Sequence, residues 1–269
     1  MKFSVGGVLV SGVSVCAVLV TGLGSTSAAA TGVGSSVGSS GQVHVQRSIA
    51  PARPFNFQGP LAREVTRRGD ADTSPEHIQH VTELQYRLRW AGVYGGPITG
   101  TFGPRTEHAV RVFQWRNRLF VSGVATHRTW SALIRQTLRG RAILPYRCGH
   151  GVGVHLCYDR LHHQVTLWKG HRLWNAWLVR GGDRGYETRT GRFSVYWRDR
   201  YHVSSIYGSA MPFSQFFSGG EAFHGSPFMM NPFVGHSHGC VNMYYEDARQ
   251  LWRDTRGVHI NVHVYGAWS

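Results

Sequence analysis

Acidic side chains are scarce in this 269-residue chain: 14 Asp and Glu stand against 29 Lys and Arg, for a formal net charge of +15 at pH 7. A polycationic partner is thereby excluded, and an anionic one is expected. Cysteine is scarce too, with four in the whole sequence. That number excludes a dense disulfide framework, and no second Cys or His couple stands at a spacing that would complete a zinc site with paired cysteines. Proline and glycine do not thin out evenly. Residues 31–41 are almost wholly Gly, Ser, Val and Thr, and residues 42–72 are polar, Arg-rich and punctuated by proline, without helical or strand periodicity. Residues 31–73 are therefore expected to be a flexible linker.

Upstream of that stretch the order is Met1-Lys2, an apolar run from Val5 to Leu23, then Ser27-Ala28-Ala29-Ala30. A basic end, an apolar core and a small-residue cleavage site make residues 1–30 an expected secretory signal, with a retained membrane anchor as the alternative. Cys16 lies inside the run behind Val15, where a lipoprotein signal needs a small residue. Cleavage leaves Cys148, Cys157 and Cys240. An odd count in an exported protein implies one bridge and one free thiol. Cys148 and Cys157, close in sequence, are the expected pair, which leaves Cys240. Export also argues against nucleic acid as the anionic partner and favours acidic wall polymers and peptide carboxylates.

Two periodicities divide the remainder. Ser74 and Pro75 suit a helix start, and Ile78, Val81, Leu84, Leu88 and Ala91 recur at helical spacing up to Gly92. A second helix is expected from Pro104 with Ala109, Val110 and Phe113 inward, and a third from Thr126 with Trp130, Leu133 and Ile134 inward. Residues 74–137 thus read as a small all-α domain of three helices, and 138–147 as a short linker. From residue 148 onward the period falls to two. Gly151–Tyr158, Gln164–Trp168, Leu173–Val179, the run Phe193, Val195, Trp197, and the last strand Val258–Val264 alternate, and one helix is expected from Tyr244 to Thr255 before Gly257. The expected architecture is multidomain, the second domain being β-dominated with one packed helix.

The leftover thiol lies in Ser237-His238-Gly239-Cys240-Val241-Asn242. A thiol needs a base or a positive environment to act as a nucleophile. His238 and the upstream His224 are both candidates, and Gly239 would let backbone N–H groups approach an oxyanion. On spacing alone, a buried inert thiol or a metal site of His236, His238 and Cys240 stays open beside catalysis.

Resemblances narrow these choices. Leu84-Gln85, Leu88, Gly92-Val93-Tyr94, Gly100-Thr101-Phe102-Gly103-Pro104, Thr106, Ala109-Val110, Phe113-Gln114, Gly123-Val124 and Thr129-Trp130 resemble a peptidoglycan-binding domain; Thr99 stands where that family usually has Asp. His224-Gly225 followed by Ser237-His238-Gly239-Cys240-Val241-Asn242 resembles the signature of the L,D-transpeptidase (YkuD-type) catalytic domain, over about residues 150–266. Met211-Pro212-Phe213, Phe217-Ser218-Gly219-Gly220 and Thr188, Gly191, Phe193 also fit, with Arg189 in place of the usual Pro. The resemblance implies Cys240 as nucleophile, His224 as general base, the Gly225 carbonyl as the group that orients His224, and N–H groups around Gly239 and Cys240 as the oxyanion hole. It further implies a supporting role for His238, Ser237 and Asn242, and a groove near Met211 and Phe213. The implied reaction is acyl transfer between peptidoglycan stem peptides through a thioester, giving 3→3 cross-links in cell-wall organisation and cell shape, with no metal or organic cofactor. Carbapenem-type β-lactams are the implied inhibitors. A Cys-dependent carboxypeptidase or endopeptidase, and a non-enzymatic wall-binding protein, are the alternatives. The helical domain is expected to act as a tether, dispensable for turnover of soluble stem peptides.

Overall fold

Leucine spacing and caps account for the first domain. The computed structural model describes residues 58–269; the expected signal segment and residues 31–57 of the expected linker lie outside the described residues. Helix α1 spans Val81–Trp90, α2 Pro104–Arg116 and α3 His127–Gln136. Val81, Leu84, Leu88, Ala109, Val110, Phe113, Trp130, Leu133 and Ile134 are buried together. Pro104 opens α2 at a position where no N–H is needed, and Thr126 precedes α3. The turn at Thr99 needs no Asp. The Gln85 side chain accepts the N–H groups of Thr99 (2.8 Å) and Gly100 (3.1 Å) and donates to the carbonyl of Thr101 (3.0 Å).

Helix α1 begins later than the Ser74-Pro75 signal suggests. Residues Ser74 to His77 close a separate turn, and the Asp72 carboxylate accepts the N–H groups of Gln79, Val81 and Thr82 at 2.7–3.2 Å. Val81 and Thr82 carry donors that a helix start leaves unpaired, so the cap is supplied from before the turn. Ile78, counted on the helical face by spacing, packs instead with Met229 and Tyr244.

The expected flexible linker also ends sooner. Residues 58–73 are part of the fold: Leu61 is in the helical core, and Thr66 and Ala71 bridge to Ala125 and Thr101. Arg63 is fully buried. Its guanidinium donates to Glu83 (2.9 and 3.1 Å), to the Asn175 side chain (3.0 Å) and to the Ala176 carbonyl (2.8 Å). The linker expectation fails for this Arg-rich stretch because its partners lie far away in sequence.

The second domain pairs two sheets. After one 3-10 turn (Arg141–Ile143) and the short helical turn α4 (Arg147–His150) come β1 Val154–Asp159, β2 Gln164–Lys169, β3 Arg172–Leu178, β4 Gly191–Ser194, β5 Trp197–Val203, β6 Ala210–Ser218, β7 Glu221–Gly225, β8 Val241–Met243, α5 Tyr245–Asp254 and β9 Ile260–Tyr265. The sheets run β3-β2-β1-β9-β4 and β5-β6-β7-β8, with β1–β9 and β7–β8 parallel. Leu156, Val165, Trp177, Val262 and Val264 of one sheet meet Phe217, Phe223, Val241 and Met243 of the other, closed by Ala248 and Leu251 of α5. The run Phe193, Val195, Trp197 is not one strand. It leaves β9 at Val195, whose N–H donates to Ile260, and joins β6 at Tyr196, whose N–H donates to Phe216.

Strand β3 belongs to both cores. Trp177 faces the space between the sheets, whereas Leu173 and Ala176 pack into the helical core. The two domains are thus built on one shared strand rather than joined only by residues 138–147.

Cys148 and Cys157 are bonded, tying α4 to β1. Closing a loop of this length should contribute about 2–3 kcal/mol. Chemical denaturation of a Cys148→Ser/Cys157→Ser protein is expected to show a loss of that size, and non-reducing peptide mapping to recover the two peptides linked. Two free thiols in exported protein would refute the bond.

Candidate active site

The parallel register of β7 and β8 sets the site. Phe223 stands opposite Val241 and His224 opposite Asn242. Strand alternation sends Phe223 and Val241 into the core. Ala222 and His224 therefore face the other way. Cys240, one residue before β8, packs on that face against Met211, Phe216 and Ala222. The thiol and the imidazole share one face of the sheet, two residues apart along β7.

His224 is buried, and its Nδ1–H donates to the Gly225 carbonyl (2.9 Å). The lone pair is thereby assigned to Nε2. Burial pushes this imidazole down to about 4; the Gly225 bond opposes the shift, and the charges of His202 and Arg180 add to it. Position 225 has little room: a Cβ there would stand 3.2 Å from both the Pro212 ring and the Tyr245 backbone.

Cys240 is half-buried, and its Sγ lies 3.8 Å from the Gly220 carbonyl. Burial pushes the thiol up to about 11; an Ala222 backbone hydrogen bond opposes the shift and the Glu221 charge adds to it. At neutral pH the two groups are a neutral thiol and a neutral imidazole, not a preformed ion pair. Thiolate is the reactive form toward simple alkylating agents. The iodoacetamide rate at Cys240 should therefore climb about tenfold per pH unit from 7 to 10. A rate already level at pH 7 would contradict the neutral pair.

The loop before Cys240 is held from both sides. The Ser237 hydroxyl donates to the Cys240 carbonyl (2.5 Å) and accepts the Gly239 N–H (3.1 Å). The Thr188 hydroxyl donates to the Gly239 carbonyl (2.8 Å). Backbone bonds join Ser237 to Gly181 (2.8 Å) and Asp183 (2.9 Å), and Asn242 to Arg180 (2.8 and 2.9 Å). Gly239 has φ +117°, a conformation that side chains rarely adopt.

Residues 153–258 match the family model of the L,D-transpeptidase catalytic domain, and residues 78–133 match that of a putative peptidoglycan binding domain. The chain carries a YkuD-type L,D-transpeptidase domain behind a peptidoglycan-binding domain. An L,D-transpeptidase from Stackebrandtia nassauensis is similar at 22% identity, covering 78% of this chain and 98% of that one, with a TM-score of 0.48. Another from Xylanimonas cellulosilytica is 25% identical over 76% of this chain and 98% of its own, with a TM-score of 0.43. Among curated proteins, the putative OxPP cycle protein OpcA of Nostoc punctiforme is 28% identical over 116 residues, 41% of this chain. The chain spans about a quarter of that relative's length, 24%.

Within the L,D-transpeptidase domain, the remaining expected site residues divide. Met211 is beside Cys240. Phe213 is not in the groove: it packs in the core against Tyr245 and Trp252. Its φ of +59° breaks the alternation of β6, so Met211 and Phe216 face the thiol while Phe213 and Phe217 turn inward. His238 is exposed, stacked on Tyr207 (4.6 Å between ring centroids) and edge-on to Tyr186 (5.2 Å). Sequence reading missed the hairpin of β5 and β6, where Trp197 stacks on Phe216 (4.6 Å) and His202 meets the same ring edge-on (4.9 Å). The polar, Arg-rich composition of β5 carried no strand signal. Arg180 was missed as well; a single basic residue after a strand gives no sign of a partner 62 residues on.

The buried set His80, Glu83 and Asp247 has metal-ligand chemistry. Glu83 and both His80 nitrogens are already engaged: Arg63 and Arg87 hold Glu83, and His80 bridges Glu64 and Asp247. Two arginines at this position also oppose a divalent cation.

Proposed function

We propose that this protein is a secreted peptidoglycan L,D-transpeptidase that forms 3→3 cross-links through a thioester on Cys240. The observation that carries the reading is a buried, neutral His224, oriented through Gly225, on the same sheet face as the half-buried thiol. A neutral imidazole with its lone pair on Nε2 is a base ready at physiological pH. As Sγ bonds to the carbonyl carbon of the third stem residue, the thiol proton passes to Nε2. The carbonyl becomes an oxyanion, then re-forms as the C–N bond breaks. The imidazolium returns the proton to the departing D-alanine amine, leaving a thioester. A side-chain amine of a neighbouring stem attacks that thioester, His224 takes its proton, and the thiol is restored.

The Gly239 N–H is engaged by Ser237, so the oxyanion role falls first to the Cys240 N–H. Thr188 and Ser237 fix the carbonyls on either side, which keeps that N–H in place while charge develops. The signal segment and the disulfide both suit work outside the cytoplasm. The first domain would keep the enzyme on its insoluble substrate, aided by the basic surface, which also suits anionic wall polymers.

Mass spectrometry of muropeptides after incubation with the protein tests the reading. Dimers linked 3→3 are expected. Trimmed tripeptide stems without dimers would make it a carboxypeptidase, and unchanged muropeptides would leave a wall-binding protein.

A further inference from the structure

Arg180 is a buried cation without a counter-ion among the described residues. It lies beyond the end of β3 and pairs by both backbone groups with Asn242, the β8 residue that faces His224. Its side chain is buried, with 7% of the residue exposed. One terminal nitrogen donates to the Val234 carbonyl (2.8 Å) and the other to that of Phe228 (3.4 Å). A guanidinium has five N–H donors, so most are unused, and Nε is buried with no partner. None of the ion pairs among the described residues includes Arg180. The fully buried Arg63 and Arg87 behave otherwise, since both hold Glu83.

A buried charge is costly unless paired, and removing its partner is costlier than removing the whole pair. The cost is borne here near the base, where its charge reaches the His224 ring. The covering segment is shaped for it. Gly235 has φ +74°, and a Cβ there would stand 3.3 Å from the guanidinium. Phe228 and Val234, whose carbonyls hold Arg180, leave their own side chains exposed. What is missing is an anion. A guanidinium fork takes a carboxylate through two N–H groups, with specificity that a point charge lacks.

We propose that Arg180 receives a free carboxylate of the donor stem peptide, so that the enzyme selects free-acid stems over amidated ones. The inference rests on the acyl-transfer reading of the same site. Two carboxylates have the right chemistry: that of the departing D-alanine, and the second carboxylate of the diamino acid whose carbonyl Cys240 attacks.

The test has two arms. In the first, Cys240 is alkylated with iodoacetate, an anion, and with iodoacetamide, its neutral analogue. The ratio of the two rates cancels any general loosening of the loop. The wild-type ratio is expected to exceed that of Arg180→Gln by about fivefold, with Arg180→Lys in between. An equal ratio in wild type and Arg180→Gln overturns the anion site. In the second arm, tetrapeptide donors amidated at one carboxylate or the other are compared with the free acid. The wild type should lose about tenfold or more in kcat/KM on the amide that removes the Arg180 partner, and Arg180→Gln should lose that preference. The arm that responds identifies the carboxylate. Turnover indifferent to both amidations overturns the assignment to the stem. Absence of turnover on every stem, with the alkylation ratio still sensitive to Arg180, would sink the transpeptidation reading and keep the anion site.

Discussion

Replacing His224 with Ala is expected to slow acylation of Cys240 by a carbapenem about 10²–10⁴-fold, and Cys240→Ser to abolish it. The size follows from the resting state. With the thiol pushed up to about 11, thiolate is nearly absent at pH 7, so acylation depends on a base that removes the proton during attack. His224 is placed for that on the thiol's own sheet face, with Nε2 unprotonated. His238 is not: its ring is exposed and held between Tyr207 and Tyr186. His238→Ala should therefore cost much less, through a looser loop. The pH profile carries the same assignment. His224 is depressed to about 4, so it stays a base as pH falls below the ordinary histidine value. The acid limb of the acylation rate should centre near 4 rather than near 6.5. Intact-protein mass after brief exposure measures both. Wild-type acylation in His224→Ala, lost in His238→Ala, would reassign the base.

The geometry of the candidate site was legible because its parts are local. Six consecutive residues bring the thiol, the Ser237 bonds and the φ +117° glycine together, and His224 comes from the adjacent strand. Period-four and period-two patterns gave α2, α3, α5 and the strands β1 to β3 nearly at their bounds, since each buries one regular face. The failures share a cause. The later start of α1 depends on Asp72, eight residues upstream of the helix's N-terminal cap. The order of residues 58–73 depends on Arg63 meeting Glu83 and Ala176. The inward turn of Phe213 depends on one left-handed residue inside a strand. Arg180 is revealed only by its lack of a carboxylate. None of these is announced by residue type within a window of sequence: Asp72, Arg63 and Arg180 act through contacts made or missing, and Phe213 through a backbone conformation its residue type does not disclose.

Replacing Arg63 with Met is expected to destabilise the fold by about 3–5 kcal/mol. Arg63, Glu83, Arg87, His80 and Asp247 form one buried set of charges between the N-terminal segment, α1 and α5, closed on β3 through the Ala176 carbonyl. Losing Arg63 leaves Glu83 with Arg87 alone and strips donors from Asn175 and Ala176. The exposed Arg111–Glu107 pair on α2 is the control: Arg111→Ala should cost under about 1 kcal/mol, because solvent screens it. Proton linkage distinguishes the buried set further. Both His80 nitrogens lie on carboxylate oxygens, Glu64 at 2.7 Å and Asp247 at 2.9 Å, so both donate and the ring is an imidazolium. Burial opposes that charge, but Glu64 and Asp247 outweigh it and hold His80 well above its ordinary value. A raised value means the stabilisation is complete below the unfolded histidine pKa and is lost as pH climbs through the folded one. The wild type should thus lose stability from this group at alkaline pH, and His80→Phe should lose that slope. The same junction changes what a truncation does. Removing residues up to Gly140 exposes Leu173 and Ala176 and leaves Asp247 unpaired, so the catalytic half should unfold more readily or aggregate instead of working as a free module. Urea unfolding of Arg63→Met, Arg111→Ala and the truncated chain reads all three. A truncated chain as stable and active on soluble stems as the whole protein would show that the first domain is only a tether, and that the shared strand and buried charges contribute nothing to the catalytic fold.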